Sequence, residues 1–238
     1  MAVRLEKQTN LSGDGELANQ GFGRLSDSEL KSFNPKIELE EACSFFGELG
    51  YVVLSDCLNQ EEIKHLNEFY DRTQKDHPEK WGLRRKRKPY HVHQGLIFSQ
   101  PLLDYPELDR YTQHPRSYPI VSELMGGEEW VRFSEFNFRE TPKNAGFSAM
   151  NFHHDAVRED RFDRQPYYPC DWLCAIHYLT DVGEGAPAFC VVPGSNRYKS
   201  LKEAHENLEE LYVEVPIYGA AGTCVLYDTA IYHTRYDG

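Results

Sequence analysis

Phe152-His153-His154-Asp155 stands at the start of the strand-rich half of a 238-residue chain. On an extended segment residues i and i+2 point to the same side, so His153 and Asp155 can hold one metal ion while His154 points away. A third ligand has to come from elsewhere, and Tyr232-His233-Thr234, after the strand read from Gly222 to Asp228, supplies a candidate. Two imidazoles and one carboxylate on one face of an ion are the set used by non-haem Fe(II) oxygenases, which leave the other positions open for chemistry. An HxD triplet also arises by chance, and a histidine is more often a surface or hydrogen-bonded core residue than a ligand. The set gains weight from its position, because sequence-distant strands of a β-sandwich or barrel converge on one mouth.

Outward from this motif, Trp130 to Phe138, Asp171 to Leu179, Phe189 to Val192, Leu211 to Val215 and Thr223 to Tyr227 are aromatic and β-branched runs separated by Gly, Pro and Asp. They predict strands. Helical spacing dominates earlier. Leu39, Ala42, Phe45, Phe46 and Leu49 lie on one face, with Gly50 as a stop before the short strand Tyr51 to Leu54. Asn59 precedes Glu62 as a capping pair, and Ile63, Leu66, Phe69 and Tyr70 form the apolar face of a helix that fades near Asp76. Leu102 to Met125 predicts two helices broken around His114-Pro115. Helices first and strands second predict an α+β, mainly β chain in which helices buttress an antiparallel sandwich or barrel. No Gly-rich phosphate loop follows a strand, so a nucleotide-binding Rossmann or Walker reading lacks its motif. Residues 1–35 are polar without sustained periodicity and read as a tail or loosely docked arm, and the domain is expected over residues 36–238.

With 26 basic against 38 acidic side chains, the formal charge of −12 disfavours nucleic acid as a partner. The contrary feature is Arg84-Arg85-Lys86-Arg87-Lys88, which reads as a solvated loop or as a contact for an anionic group. Arg132, Arg139, Arg158 and Arg161 are further candidates for anion contacts, and Tyr90, Tyr167 and Tyr168 for a pocket wall. No apolar run approaches the roughly 18 residues of a spanning helix, and no secretory signal opens the chain, so no membrane partner and an intracellular, cytoplasmic setting are expected. Six cysteines without a CxxC pair read as reduced, mostly buried thiols; only Cys170 and Cys174 approach the ligand spacing of a zinc cluster. His91 and His93 share the i, i+2 spacing but lack a carboxylate soon after, which suits a lid or substrate-facing element as well as a metal site.

Five stretches together resemble the phytanoyl-CoA dioxygenase family of Fe(II)/2-oxoglutarate oxygenases, in family order over about residues 37 to 238. They are Phe45 to Leu54, with the helix start after Leu58-Asn59-Gln60-Glu61-Glu62; His114 to Gly126; Phe152 to Asp155; Asp181 to Pro187 with Val191 to Ser195; and Gly222 to Tyr227 ahead of His233. The resemblance implies a double-stranded β-helix (a cupin-like jelly-roll) with N-terminal helices packed on one sheet. It implies that His153, Asp155 and His233 bind Fe(II), that 2-oxoglutarate is the cosubstrate with ascorbate as a reductant, and that Trp172 lies near the cosubstrate or packs in the core. An arginine beyond the distal histidine holds the far carboxylate of 2-oxoglutarate in the family, but five residues follow His233 here. The expectation is a C-terminally shortened chain lacking its last strand, with Arg235, about 6–7 Å along the strand face of His233, able to line the site.

The implied reaction hydroxylates a C–H bond of a small-molecule or acyl substrate, with anionic and CoA-linked compounds as candidates, and releases succinate and CO2. Asp155 occupies the position that halogenating relatives leave to a small residue, so hydroxylation or desaturation is preferred. Two other classes stay open: a non-catalytic binding or scaffold protein on the same fold, and a cupin-like metalloenzyme that does not use 2-oxoglutarate.

Overall fold

A capping box starts the longest helix: the Asn59 side chain accepts from the Glu62 backbone N–H, and the Glu62 carboxylate accepts from the Asn59 N–H. The computed structural model describes residues 32–35, 38–81, 97–141, 151–155, 162 and 170–236. In chain order the α-helices are α1 (Leu39–Leu49), α2 (Gln60–Asp76), α3 (Tyr118–Leu124) and α4 (Leu201–Leu208). The strands are β1 (Tyr51–Leu54), β2 (Ile97–Ser99), β3 (Asn137–Arg139), β4 (Leu173–His177), β5 (Ala188–Val191), β6 (Val215–Ile217), β7 (Cys224–Asp228) and β8 (His233–Tyr236). The basic run Arg84 to Lys88, Tyr90, His91, His93, Arg158, Arg161, Tyr167 and Tyr168 lie outside the described residues.

Two three-stranded antiparallel sheets, ordered β1-β7-β4 and β6-β5-β8, carry the core. Side-chain alternation explains why β1 and β7 are buried throughout. Val52, Leu54, Cys224 and Leu226 join Ala42 and Phe46 of α1 and Ile120 and Leu124 of α3 in one apolar cluster. Their neighbours Tyr51, Val53, Val225 and Tyr227 point the other way and meet Val191, Val215 and Ile217 of the second sheet. One sheet thus has helices on its outer face and the second sheet on its inner face. Beside it, β2 and β3 pair as a two-stranded ribbon whose Phe98 and Phe138 close on Phe69 of α2 and on Trp81.

Several expectations shift. Pro101 and Pro106 open 3-10 turns (Pro101–Leu103, Pro106–Tyr111) where a helix is expected, and only α3 forms after His114-Pro115. The run from Trp130 to Phe138 narrows to β3, and the strand expected at Leu211 to Val215 lies at Val215–Ile217. Packing also reaches further toward the N-terminus than the polar composition of residues 1–35 suggests. Phe33 is 1% exposed, bridges Leu54 in parallel and rests edge-on against Phe45 at 5.2 Å.

Candidate metal centre

His153 and His233 meet through backbone before they meet through side chains. Each donates its N–H to the other's carbonyl, at 3.0 and 2.8 Å, so His153 adds a bridge to the free side of β8. β8 is held on its opposite side by β5, with Val191 across from His233. Asp155 is placed by its own N–H, which donates to Thr229 in the β7–β8 connection at 2.9 Å.

The side chains then converge. Asp155 Oδ1 lies 3.9 Å from His153 Nε2, and Asp155 Oδ2 lies 3.5 Å from His233 Nε2. One ligand atom from each residue falls within 4.8 Å of the others. Both imidazoles use Nδ1 elsewhere, His153 against Asn151 O at 3.0 Å and His233 against Ile231 O at 2.9 Å. A carbonyl can only accept, so each Nδ1 carries a proton and Nε2 is the ring nitrogen turned toward Asp155. Metal-binding imidazoles are commonly anchored through one ring nitrogen in this way and bind through the other.

Electrostatics favour the ligating forms. His233 beside Asp155 holds its carboxyl below the usual carboxylate range against the opposing effect of burial, with help from His153 and Arg139. Burial lowers the His153 pKa, more than the Asn151 carbonyl and Asp155 raise it. Tyr227 and Phe189 flank the His233 ring, with centroids at 5.1 and 5.3 Å, and keep it buried. Their role has no sequence motif; only the inward alternation of β5 and β7 points to it.

His154 turns away, as its position in the triplet requires, and its ring sits 5.2 Å from that of Tyr232. Trp172 is 47% exposed, so it does not pack in the core; its carbonyl accepts from the Thr229 N–H, the same residue that holds Asp155. Arg235 follows His233 on the same face of β8, across from Phe189. Arg139 at the end of β3 is exposed and close enough for its charge to act on Asp155, Cys174 and Tyr227. Arg132 is not brought to the site: its guanidinium donates to the carbonyls of Glu129 and Val131 in its own loop. Among the described residues no helix is long and apolar enough to cross a membrane.

Known proteins share this arrangement of chain. The fold matches the α-ketoglutarate-dependent carbocyclase SnoK of nogalamycin biosynthesis at a TM-score of 0.64 and 17% identity, covering 87% of this chain and 83% of that one. It matches HygX from Streptomyces hygroscopicus, solved with nickel and 2-oxoglutarate, at 0.62 and 17%, covering 87% and 82%. It matches EctD from S. alaskensis, solved with bound Fe, at 0.59 and 18%, covering 87% and 73%. No curated protein sequence matches the chain. The family model "Phytanoyl-CoA dioxygenase (PhyH)" matches residues 46–234, a span that takes in all of β1 through the paired start of β8. The chain therefore belongs to the phytanoyl-CoA dioxygenase family.

Proposed function

We propose that this chain is an Fe(II)- and 2-oxoglutarate-dependent oxygenase that hydroxylates a C–H bond of a small molecule. The observation that carries the reading is the convergence of one ligand atom each from His153, Asp155 and His233 within 4.8 Å, fixed by the His153–His233 bridge. That donor set fits a divalent iron, with His153, Asp155 and His233 on one face and the remaining positions open. When bound, iron with 2-oxoglutarate and dioxygen supplies the oxidising chemistry and releases succinate and CO2. The protein's part is to hold the ligands, orient the substrate and limit water. Buried His233, walled by Tyr227 and Phe189, forms the closed side of the site, and half-exposed Asp155 faces the open side.

The two sheets correspond, in this reading, to the two walls of a double-stranded β-helix, spanning a domain over residues 36–238. Arg139 and Arg235 supply positive charge for an anionic group near Asp155 and along the His233 face of β8, and Trp172 lies beside the cosubstrate. Relatives solved with ligands support a small-molecule substrate: HygX has been solved with hygromycin B, and SnoN with Fe3+, α-ketoglutarate and a nogalamycin compound. Ascorbate serves as an external reductant.

Anaerobic addition of 2-oxoglutarate to the Fe(II)-loaded protein tests this. A visible metal-to-ligand charge-transfer band that is lost in Asp155→Ala and in His233→Ala supports it. Iron binding without any such band opposes it.

A further inference from the structure

A second cluster of metal-binding side chains lies on the helix-covered face of the β1-β7-β4 sheet. Cys57 follows β1, His177 ends β4 and Cys224 starts β7, and one ligand atom from each falls within 4.8 Å of the others. His177 and Cys224 are register partners, with Cys224 Sγ 3.7 Å from His177 Nε2. Two sulfurs and one imidazole on a tetrahedral zinc, at bond lengths of about 2.3 and 2.0 Å, would stand roughly 3.6 Å apart across an S···N edge. The observed spacing is close to that already.

We propose that Cys57, His177 and Cys224 form a structural site for a soft divalent ion, zinc foremost, that ties β1, β4 and β7 together beneath the helices. Donor chemistry sets the class of ion, because thiolate with imidazole suits zinc and not the hard, oxygen-seeking cations. Both sulfurs are fully buried in the cluster formed with α1 and α3, and the buried His177 Nδ1 has no hydrogen-bond partner. A buried cluster of thiols and an imidazole with an unpartnered nitrogen gains little from its own hydrogen bonds. His114 stands edge-on to His177 at 6.4 Å between ring centroids and is itself held by Glu62 at 3.0 Å, an outer neighbour that fixes the imidazole side of the cluster.

The site is separate from the centre around Asp155. Cys224 faces the helices while Tyr227 faces the second sheet, and Cys224 lies four residues along β7 from Asp228, about 13 Å at strand rise. Sequence spacing could not reveal it, since its members come from separate elements and form no paired ligand motif.

Elemental analysis and zinc-edge X-ray absorption on the full chain, purified without added iron, test the proposal. The expected result is about one zinc per chain with two sulfur neighbours, kept in Asp155→Ala and lost in Cys57→Ser and Cys224→Ser. Chelation should then lower the melting temperature of the wild-type chain. Should the serine variants fail to fold, the wild-type absorption spectrum decides alone. A zinc-edge signal without sulfur neighbours, no retained metal after zinc loading, or a Cys57–Cys224 disulfide in peptide mapping would each overturn it.

Discussion

His153 and His233 exchange a pair of backbone hydrogen bonds, and this bridge sets the spacing of their imidazoles. Ligands held by a sheet keep their geometry better than ligands held by loops. The candidate centre is therefore as rigid as β8, which β5 clamps from the opposite side.

Trp172 separates a cosubstrate contact from a packing role. Its side chain is about half exposed, so Trp172→Ala should change stability by no more than about 0.5 kcal/mol. The same variant should raise the apparent KM for 2-oxoglutarate several-fold. Denaturant unfolding alongside 2-oxoglutarate titration checks both, and a large stability loss with unchanged KM would count against the assignment.

Two glycines near the end of α1 should respond in opposite directions. Gly50 closes the helix at a φ of 78°, and a Cβ there would stand 2.7 Å from Asn196 Cγ, whose amide donates to buried Asp228. Gly50→Ala should cost at least about 1–2 kcal/mol from the left-handed backbone alone. Gly47, inside the helix with open space around it, should gain about 0.5–1 kcal/mol on Gly47→Ala. Thermal unfolding of the two variants in parallel reads the sign of each.

The capping box predicts acid sensitivity. Burial tends to raise the Glu62 pKa, but the Asn59 N–H, His114 and Arg116 together bring it below its ordinary 4.5. A depressed carboxyl stabilises the fold above its unfolded pKa, and that contribution fades as pH falls from about 4.5 through the folded value. Glu62→Gln should thus lose stability at neutral pH and show a smaller decline between pH 5 and 3. Asn59→Ala should cost about 1 kcal/mol. Urea unfolding across this pH range measures both.

Much of this molecule is legible in its residues, for identifiable reasons. β1, α1 and α2 follow from short-range periodicity and caps, and His153 with Asp155 follows from i, i+2 geometry on an extended segment. The run from Trp130 to Phe138 misleads because β propensity reports a fit to a half-buried surface: Trp130 is 65% and Phe133 57% exposed, and only β3 finds a partner. β6 starts later than expected because pairing with β5 decides it, Val191 opposite Val215 and Phe189 opposite Ile217. A 3-10 turn occupies Glu209–Leu211, and Glu209 adopts a positive φ. The Cys57, His177 and Cys224 cluster has no local signature at all, because a tertiary fold alone brings it together.

Fe(II)-dependent conversion of 2-oxoglutarate to succinate by the purified chain, followed with and without candidate small-molecule substrates, reads the chemistry of the His153, Asp155 and His233 centre directly. Succinate formation should require Fe(II) and dioxygen and fall by at least about a hundredfold in Asp155→Ala and in His153→Ala. Iron bound at this centre with no succinate formed and no binding of 2-oxoglutarate would contradict it.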